Sequence, residues 1–221
     1  MRNARITYLL CFAALGLTSG GLRAGTITNL DTGRDTGLSP GVVNTASDPI
    51  WNILSAPFGN TSGPAVLIGD PIWGAAPAGS HWIATDPAPA DSGGSQYSAG
   101  TYKYDTTFAG DSGILSFMVK ADNAVTVRLN GNPLLNWGDP GGVLSTGWAT
   151  FSPLQTVTSG FLAVNTLELD VENNGIYTGA LLEGQFTATP EPATWPLLLV
   201  GLGLVVCGRR KAQKVTPLVI G

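Results

Sequence analysis

The sequence predicts an all-β sandwich between Gly25 and Thr189, flanked by two terminal segments of a different character. Three observations predict it. No stretch of this span sustains an apolar period of 3.6 residues, whereas several short runs alternate apolar and polar residues at every second position. Those runs are separated by glycine, proline, asparagine and aspartate, the residues that close tight turns, at intervals typical of a sandwich. Both cysteines of the chain, Cys11 and Cys207, lie outside the span, so the domain must be held by apolar burial without disulfides, which its length permits.

The first element, Met1 to Ala24, is not part of that domain. Arg2 and Arg5 precede an apolar run from Ile6 to Leu17, and small residues close it, which is the layout of a secretory signal peptide. The expected product begins at Gly25, with a cut nearer Gly20 as the alternative. Cys11 follows Leu10 rather than a small residue, so no lipid is expected on it and it leaves with the signal helix.

Candidate strands then run through Thr26 to Asn29, Trp51 to Leu54, Ala65 to Ile68, Trp82 to Thr85 and Thr101 to Phe108, all bounded by turn residues. Alternation is clearest in the next pair. Leu115, Phe117, Val119 and Ala121 share one face of Ile114 to Ala121, and Val125, Val127 and Leu129 share one face of Ala124 to Asn130. Those two faces are expected to meet in one core. Asp122-Asn123 and Asn130-Gly131 tolerate positive φ, so the segment reads as a two-turn meander. Trp148 to Phe151, Thr166 to Val171 and Leu181 to Thr187 complete the set. In the second of these, Leu167, Leu169 and Val171 face inward while Glu168, Asp170 and Glu172 face outward.

The last segment, residues 190–214, is again distinct. Pro190-Glu191-Pro192 stands before an uncharged run from Ala193 to Cys207, which stops against Arg209, Arg210, Lys211 and Lys214. As a helix that run spans about 22 Å, short of a hydrocarbon core of about 30 Å, so a transmembrane helix over 193–208 is a marginal anchor. A buried core helix is the alternative, against which Pro196, Gly201, Gly203 and the abrupt basic stop all argue. The basic cluster keeps the C-terminus in the cytoplasm and leaves the domain outside.

Pro-Glu-Pro, a short apolar run and an arginine-rich end, in this order, resemble the PEP-CTERM sorting signal read by exosortase enzymes in Gram-negative bacteria. The resemblance implies export, transient retention in the inner membrane, removal of the tail, and delivery to the cell surface or extracellular matrix, often alongside exopolysaccharide production. It implies sorting roles for Pro190, Glu191, Pro192, Arg209, Arg210 and Lys211. Residues 215–221 form a short extension past the cluster, where such signals stop sooner.

A second resemblance covers most of Trp51 to Thr187. Lys120-Ala121-Asp122-Asn123, Val127-Arg128-Leu129-Asn130-Gly131, Val164-Asn165-Thr166-Leu167 and Val171-Glu172-Asn173-Asn174 are similar to the strand-and-turn series of galactose-binding-like jelly rolls. That resemblance implies a jelly-roll β-sandwich with a tendency to bind sugars.

Charge narrows the partners. Fourteen of the fifteen acidic residues, but only four of the eleven bases, fall between Gly25 and Thr189. Such a surface repels nucleic acid and suits calcium or neutral sugars. Asp31, Asp35, Asp70 and Asp105 are candidate calcium ligands, although spacing does not select among them. No cofactor is expected beyond such a structural calcium.

Catalysis finds little support. Gly110-Asp111-Ser112-Gly113 and Asp91-Ser92-Gly93-Gly94 look like nucleophile turns, yet His81 is the only histidine and stands in a loop-rich stretch, where it more simply borders a strand. Glu168, Asp170 and Glu172 lie on one strand face, whereas glycosidases set their carboxylates on separate elements across a cleft. A solvated outward face accounts for them. Asn136-Trp137-Gly138-Asp139 is the best ligand candidate. An aromatic flanked by Asn136 and Asp139 can stack a sugar face and hold its hydroxyls, with a loop-anchoring contact for Trp137 as the alternative.

The expected protein is therefore a non-catalytic, exported β-sandwich at the cell surface, processed by an exosortase-type enzyme and interacting with extracellular polysaccharide. A secreted carbohydrate hydrolase and a structural matrix protein without a specific ligand are the alternatives.

Overall fold

The computed structural model describes residues 25–34, 46–68, 73, 76–86, 97–139, 146–175 and 177–189. The signal segment and the sorting tail lie outside the described residues. Thr26–Ala188 form one compact unit. In chain order it contains β1 (Ile27–Asn29), β2 (Ser47–Ser55), β3 (Gly63–Ile68), β4 (Trp82–Ala84), β5 (Gly100–Ala109) and β6 (Gly113–Asp122). There follow β7 (Ala124–Leu129), β8 (Asn132–Gly138), α1 (Thr146–Ala149), β9 (Gln155–Val157), β10 (Val164–Asn173) and β11 (Gly179–Ala188).

The strands pair antiparallel in the order β8-β7-β10-β5-β2-β3-β4-β11-β6-β9, and β1 adds beside β11. Because each strand sends every second residue to the same side, two inner faces result. Tyr102 and Tyr104 of β5, Val127 of β7 and Leu169 of β10 meet Phe117 and Val119 of β6 and Leu182 and Phe186 of β11 in one buried cluster. The fold is thus a jelly-roll β-sandwich, with β3 and β4 carrying the hydrogen-bonded ladder from one layer to the other.

A second, smaller cluster of Ile68, Trp73, Ala76, Trp82, Ala84 and Leu181 covers the outer side of β3, β4 and β11. There the Trp73 and Trp82 rings lie 4.8 Å apart. Strands buried on both faces need apolar residues at successive positions, which is why this part of the sequence reads as continuous apolar runs instead of alternation.

The two strong strands in the middle of the sequence do share one core, but not as a hairpin. β6 pairs with β11 and β9, whereas β7 pairs with β10 and β8. The chain therefore crosses from one layer to the other at Asp122-Asn123, and the expected first turn of a meander is corrected to a sandwich corner. Asn123 holds that corner. Its backbone N–H donates to the Glu172 carbonyl at 2.8 Å, its amide Nδ2 donates to Asp122 Oδ1 at 2.7 Å, and its Oδ1 accepts from Asn174 N at 3.0 Å.

The second turn is as expected. Asn130 and Gly131 both have positive φ, 52° and 79°, closing the two-residue β7–β8 hairpin. The Asn130 side chain also accepts from Thr166 N at 2.9 Å and donates to the Gly160 carbonyl and Asn165 Oδ1, both at 3.0 Å. Replacing Asn130-Gly131 by Ala-Val is expected to lower unfolding free energy by about 1–3 kcal/mol, through backbone strain and lost hydrogen bonds. Urea denaturation checks this; an unchanged midpoint would contradict it.

Two further differences stand out. Trp148 to Phe151 is expected as a strand, yet the chain makes the helical turn α1 over Thr146–Ala149, with Gly147 packed so tightly on the Asn123 carbonyl that a Cβ has no space. Local β-propensity yields here to packing. β8 and β9 are not foreseen, because Pro133, two asparagines and a glycine disguise β8 as a loop; an edge strand, which β8 is, tolerates a proline.

Candidate functional site

The outer face of β8-β7-β10-β5-β2 carries the richest polar chemistry among the described residues. Directly paired residues of antiparallel strands project on the same side, so register alone aligns them. One row runs Asn136, Thr126, Asp170, Lys103, Ser55 across five strands. Beside it runs a second, Arg128, Glu168, Asp105, Asn52. At a strand spacing of about 4.8 Å these rows form an extended ladder and not a closed cavity.

Asp170 organises the ladder. Its Oδ1 accepts from Lys103 Nζ and its Oδ2 from Arg128 Nε, both at 2.8 Å. Burial pushes this carboxyl up, but the hydrogen bonds and charges of the two cations outweigh it and hold the group below the ordinary carboxylate range. Asp170 therefore stays ionised and fixes both cations in place while their outer parts remain accessible, at 37% and 32% side-chain exposure. Thr126 Oγ1 donates to Asn136 Oδ1 at 2.8 Å, leaving the exposed Asn136 amide with N–H donors for a ligand. Glu168 and Glu172 of β10 and Asp105 of β5 add acceptors, and burial raises Asp105.

Donors and acceptors thus alternate over short distances on one flat surface. Asp170 departs from the expected solvated outward trio on β10: it is the buried centre of an ion-pair triad, flanked by the more open Glu168 and Glu172. Lys103 and Arg128 are not foreseen as site residues. The Tyr-Lys-Tyr-Asp alternation of β5 signals that Lys103 faces outward, but its meeting with Asp170 depends on the register of strands far apart in sequence.

The residues singled out by sequence separate. Asn136 lies on the ladder. Trp137 pairs with the core residue Val125, so it faces the opposite side of β8, half-buried against the core, and its indole N–H donates to the Thr150 carbonyl at 3.3 Å. Asp139 follows the strand and donates its backbone N–H to the Asn123 carbonyl at 3.3 Å. His81 is buried immediately before β4, where its backbone N–H donates to Thr32 O and its carbonyl accepts from Thr32 Oγ1. Ser112 is exposed in the β5–β6 loop and donates to Asp111. Asp91, Ser92, Asp35 and Asp70 lie outside the described residues. Asp31 accepts from Gly184 N at 2.7 Å, and among the described residues no group of three or more His, Cys, Asp or Glu is placed to hold a metal ion.

Asp122, like Asp105, behaves opposite to Asp170. Burial raises Asp122 from 3.8 to about 6, although Trp73 Nε1 at 2.9 Å and Asn123 Nδ2 at 2.7 Å both donate to it. A carboxyl whose folded pKa lies above its unfolded value favours folding in its protonated form, so stability falls as pH rises from about 4 to about 6. Asp122→Asn is expected to remove a loss on the order of 2 kcal/mol across that window. The check is the difference in unfolding free energy between pH 4 and pH 7; equal differences in both proteins would contradict it.

The strand architecture defines the class: a disulfide-free β-sandwich with an open polar face. What marks it further is its C-terminal segment, because residues 188–211 match the PEP-CTERM protein-sorting motif. The chain therefore carries a signal for export and surface delivery. No curated protein matches the chain. Solved structures with similar strands include a family 29 carbohydrate-binding module complexed with cellulohexaose, at 10% identity over 76% of this chain and 93% of that one, TM-score 0.40. Another is the CBM36-1 domain of a multidomain xylanase from the hindgut metagenome of Trinervitermes trinervoides, at 12% identity over 63% and 95%, TM-score 0.31. A third, the module CBM36 in complex with calcium and xylotriose, shows 15% identity over 73% and 99%, TM-score 0.27. Scores this low add nothing to the strand pairing already described.

Proposed function

We propose that the chain is a non-catalytic, surface-delivered carbohydrate-binding protein that engages extracellular polysaccharide through the outer face of β8-β7-β10-β5-β2. The observation that carries this reading is the register-aligned ladder centred on Asp170. Sugar hydroxyls are donors and acceptors at once, and vicinal pairs suit a surface on which Lys103, Arg128 and Asn136 donate beside Asp105, Glu168 and Glu172. An open ladder accommodates a chain of sugar units, and weak single contacts gain from repetition along a polymer. Trp137 anchors the edge strand that presents Asn136, and Asp139 follows it. Processing at the tail falls to an exosortase-type enzyme, with the run at 193–208 holding the chain in the inner membrane until then.

An acid–base enzyme is disfavoured because the central carboxylate is neutralised by two cations, and the carboxylates around it share one flat face instead of standing across a cleft. The test uses the Gly25–Thr189 fragment, which contains the whole compact unit, on a glycan array followed by calorimetry. Lys103→Ala with Asn136→Ala is expected to weaken binding about 5- to 150-fold, as two lost hydrogen bonds of about 0.5–1.5 kcal/mol each imply, while melting of the same variant reports separately what Asp170 loses with its Lys103 partner. Binding that survives this pair would remove the ladder from the account; absence of binding to any glycan would favour a structural matrix role.

A further inference from the structure

One end of the sandwich is apolar on its outside, and it is the end at which β11 finishes. Phe108, Phe161 and Phe186 plug it, with ring centroids 4.7 Å apart for Phe108–Phe186 and 5.0 Å for Phe161–Phe186. Around this plug stand apolar side chains that the core does not take. Val164 is 65% exposed and Leu162 56%, on the segment opposite Ala109 and Gly110. Ile27 is 65% exposed and Ile114 45%, and both pair with Thr187, so they share its outer face. In the loops of this end, 109–113, 158–163 and the Asn130-Gly131 turn that donates to the Gly160 carbonyl, Asp111 is the sole ionisable residue. The opposite end, by contrast, offers the exposed Ser98 and Asn174.

A monomeric soluble domain rarely gathers several exposed large apolar residues at one end without a partner for them. Connectivity identifies the partner. β11 ends at Ala188 and the uncharged run begins at Ala193, so an extended chain allows at most about 17 Å between the strand end and the start of that run. If residues 193–208 anchor the chain, this end of the domain is tethered within reach of the lipid headgroups, and no other end is. We propose that the rim of Ile27, Ile114, Leu162 and Val164 rests on the bilayer surface while the chain awaits processing. The partner is a lipid interface, and the single acidic Asp111 points to a zwitterionic one over an anionic one. Apolar side chains at such a surface enter the headgroup–acyl boundary by about 5–10 Å. Docking there would hold Pro190-Glu191-Pro192 close to the membrane, where a membrane-embedded enzyme must reach it, and removal of the tail would release the domain.

This inference rests on the reading of 193–208 as an anchor, and the experiment separates the two. The full chain, with Cys11→Ser and Cys207→Ser, is reconstituted in phosphatidylcholine–phosphatidylethanolamine vesicles carrying an environment-sensitive fluorophore at Leu162→Cys, at Val164→Cys or, as a control on the opposite end, at Ser98→Cys. Flotation reports anchoring; emission wavelength and quenching by brominated lipid report contact. Expected are a blue shift and quenching at positions 162 and 164 and neither at 98, with all three proteins floating. A chain that floats with positions 162 and 164 as solvent-exposed as 98 overturns the docked end alone. Failure to float overturns the anchor and the docking with it. Protection seen only in membranes that contain the processing enzyme, and absent from lipid vesicles, overturns the lipid partner in favour of a protein one.

Discussion

Alanine at Pro190, Glu191 and Pro192 together will leave the full-length chain in the inner membrane instead of at the cell surface. These residues open the segment matched by the sorting motif, and they stand between a β-strand that ends at Ala188 and an uncharged run that begins at Ala193. Two prolines oppose helix formation and favour extended backbone, so if the apolar run is helical as proposed, the alanine variant would let that helix extend back over the recognition site. Retention rests on different residues. If the run anchors the chain as proposed, it is short for a bilayer, so its retention requires Arg209, Arg210 and Lys211 to hold its end in the cytoplasm, and neutralising them is expected to release uncut protein or invert it. Fractionation with an epitope in the sandwich, in a host that carries an exosortase, distinguishes the two outcomes. The triple alanine variant reaching the surface at normal size and amount would contradict the sorting assignment.

Replacing Trp51 by alanine will cost the sandwich about 3–5 kcal/mol, a large share of the about 5–15 kcal/mol that stabilises a typical domain. Trp51 is fully buried in the main cluster. Its indole N–H donates to the Leu30 carbonyl at 2.9 Å, and its backbone N–H donates to Asp48 Oδ1 at 2.8 Å. Alanine would leave both a cavity and an unpaired carbonyl where β2 meets the segment after β1. Trp51→Phe keeps most of the volume but not the indole donor, so a loss of about 1–2 kcal/mol is expected for it. Urea unfolding of both variants apportions packing and hydrogen bonding; a Trp51→Phe protein as stable as wild type would mean that the carbonyl finds another partner, and equal losses would mean that the lost volume contributes nothing.

How much of this was legible in the sequence follows from which forces act locally. Alternation in β5, β6, β7 and β10 and the Asn130-Gly131 turn depend on neighbouring residues, and the structure has them where the pattern places them. The corner at Asp122-Asn123 does not, because the same short connection serves a hairpin or a crossover, and only the pairing of β6 with β11 decides. β8 and α1 were hidden for a related reason: Pro133 is tolerated at an edge, and Gly147 fits one carbonyl contact, neither of which a window of sequence contains. The ladder was half visible. Outward Glu168, Asp170 and Glu172 follow from alternation, whereas the meeting of Asp170 with Lys103 and Arg128 requires register across three strands. Trp137 shows the converse, since its glycine- and aspartate-rich flank suggested a loop but the residue pairs with Val125 and faces inward.

In the proposed function, sorting and sandwich serve one end, a sugar-binding surface delivered outside the cell. The most direct test is cosedimentation of the processed chain, released from the surface of an exosortase-bearing host, with that host's own extracellular polysaccharide. Wild-type protein is expected to sediment with the polymer, and the Lys103→Ala, Asn136→Ala protein, delivered in equal amount, to stay in the supernatant. Equal sedimentation of both, or of neither, would contradict it.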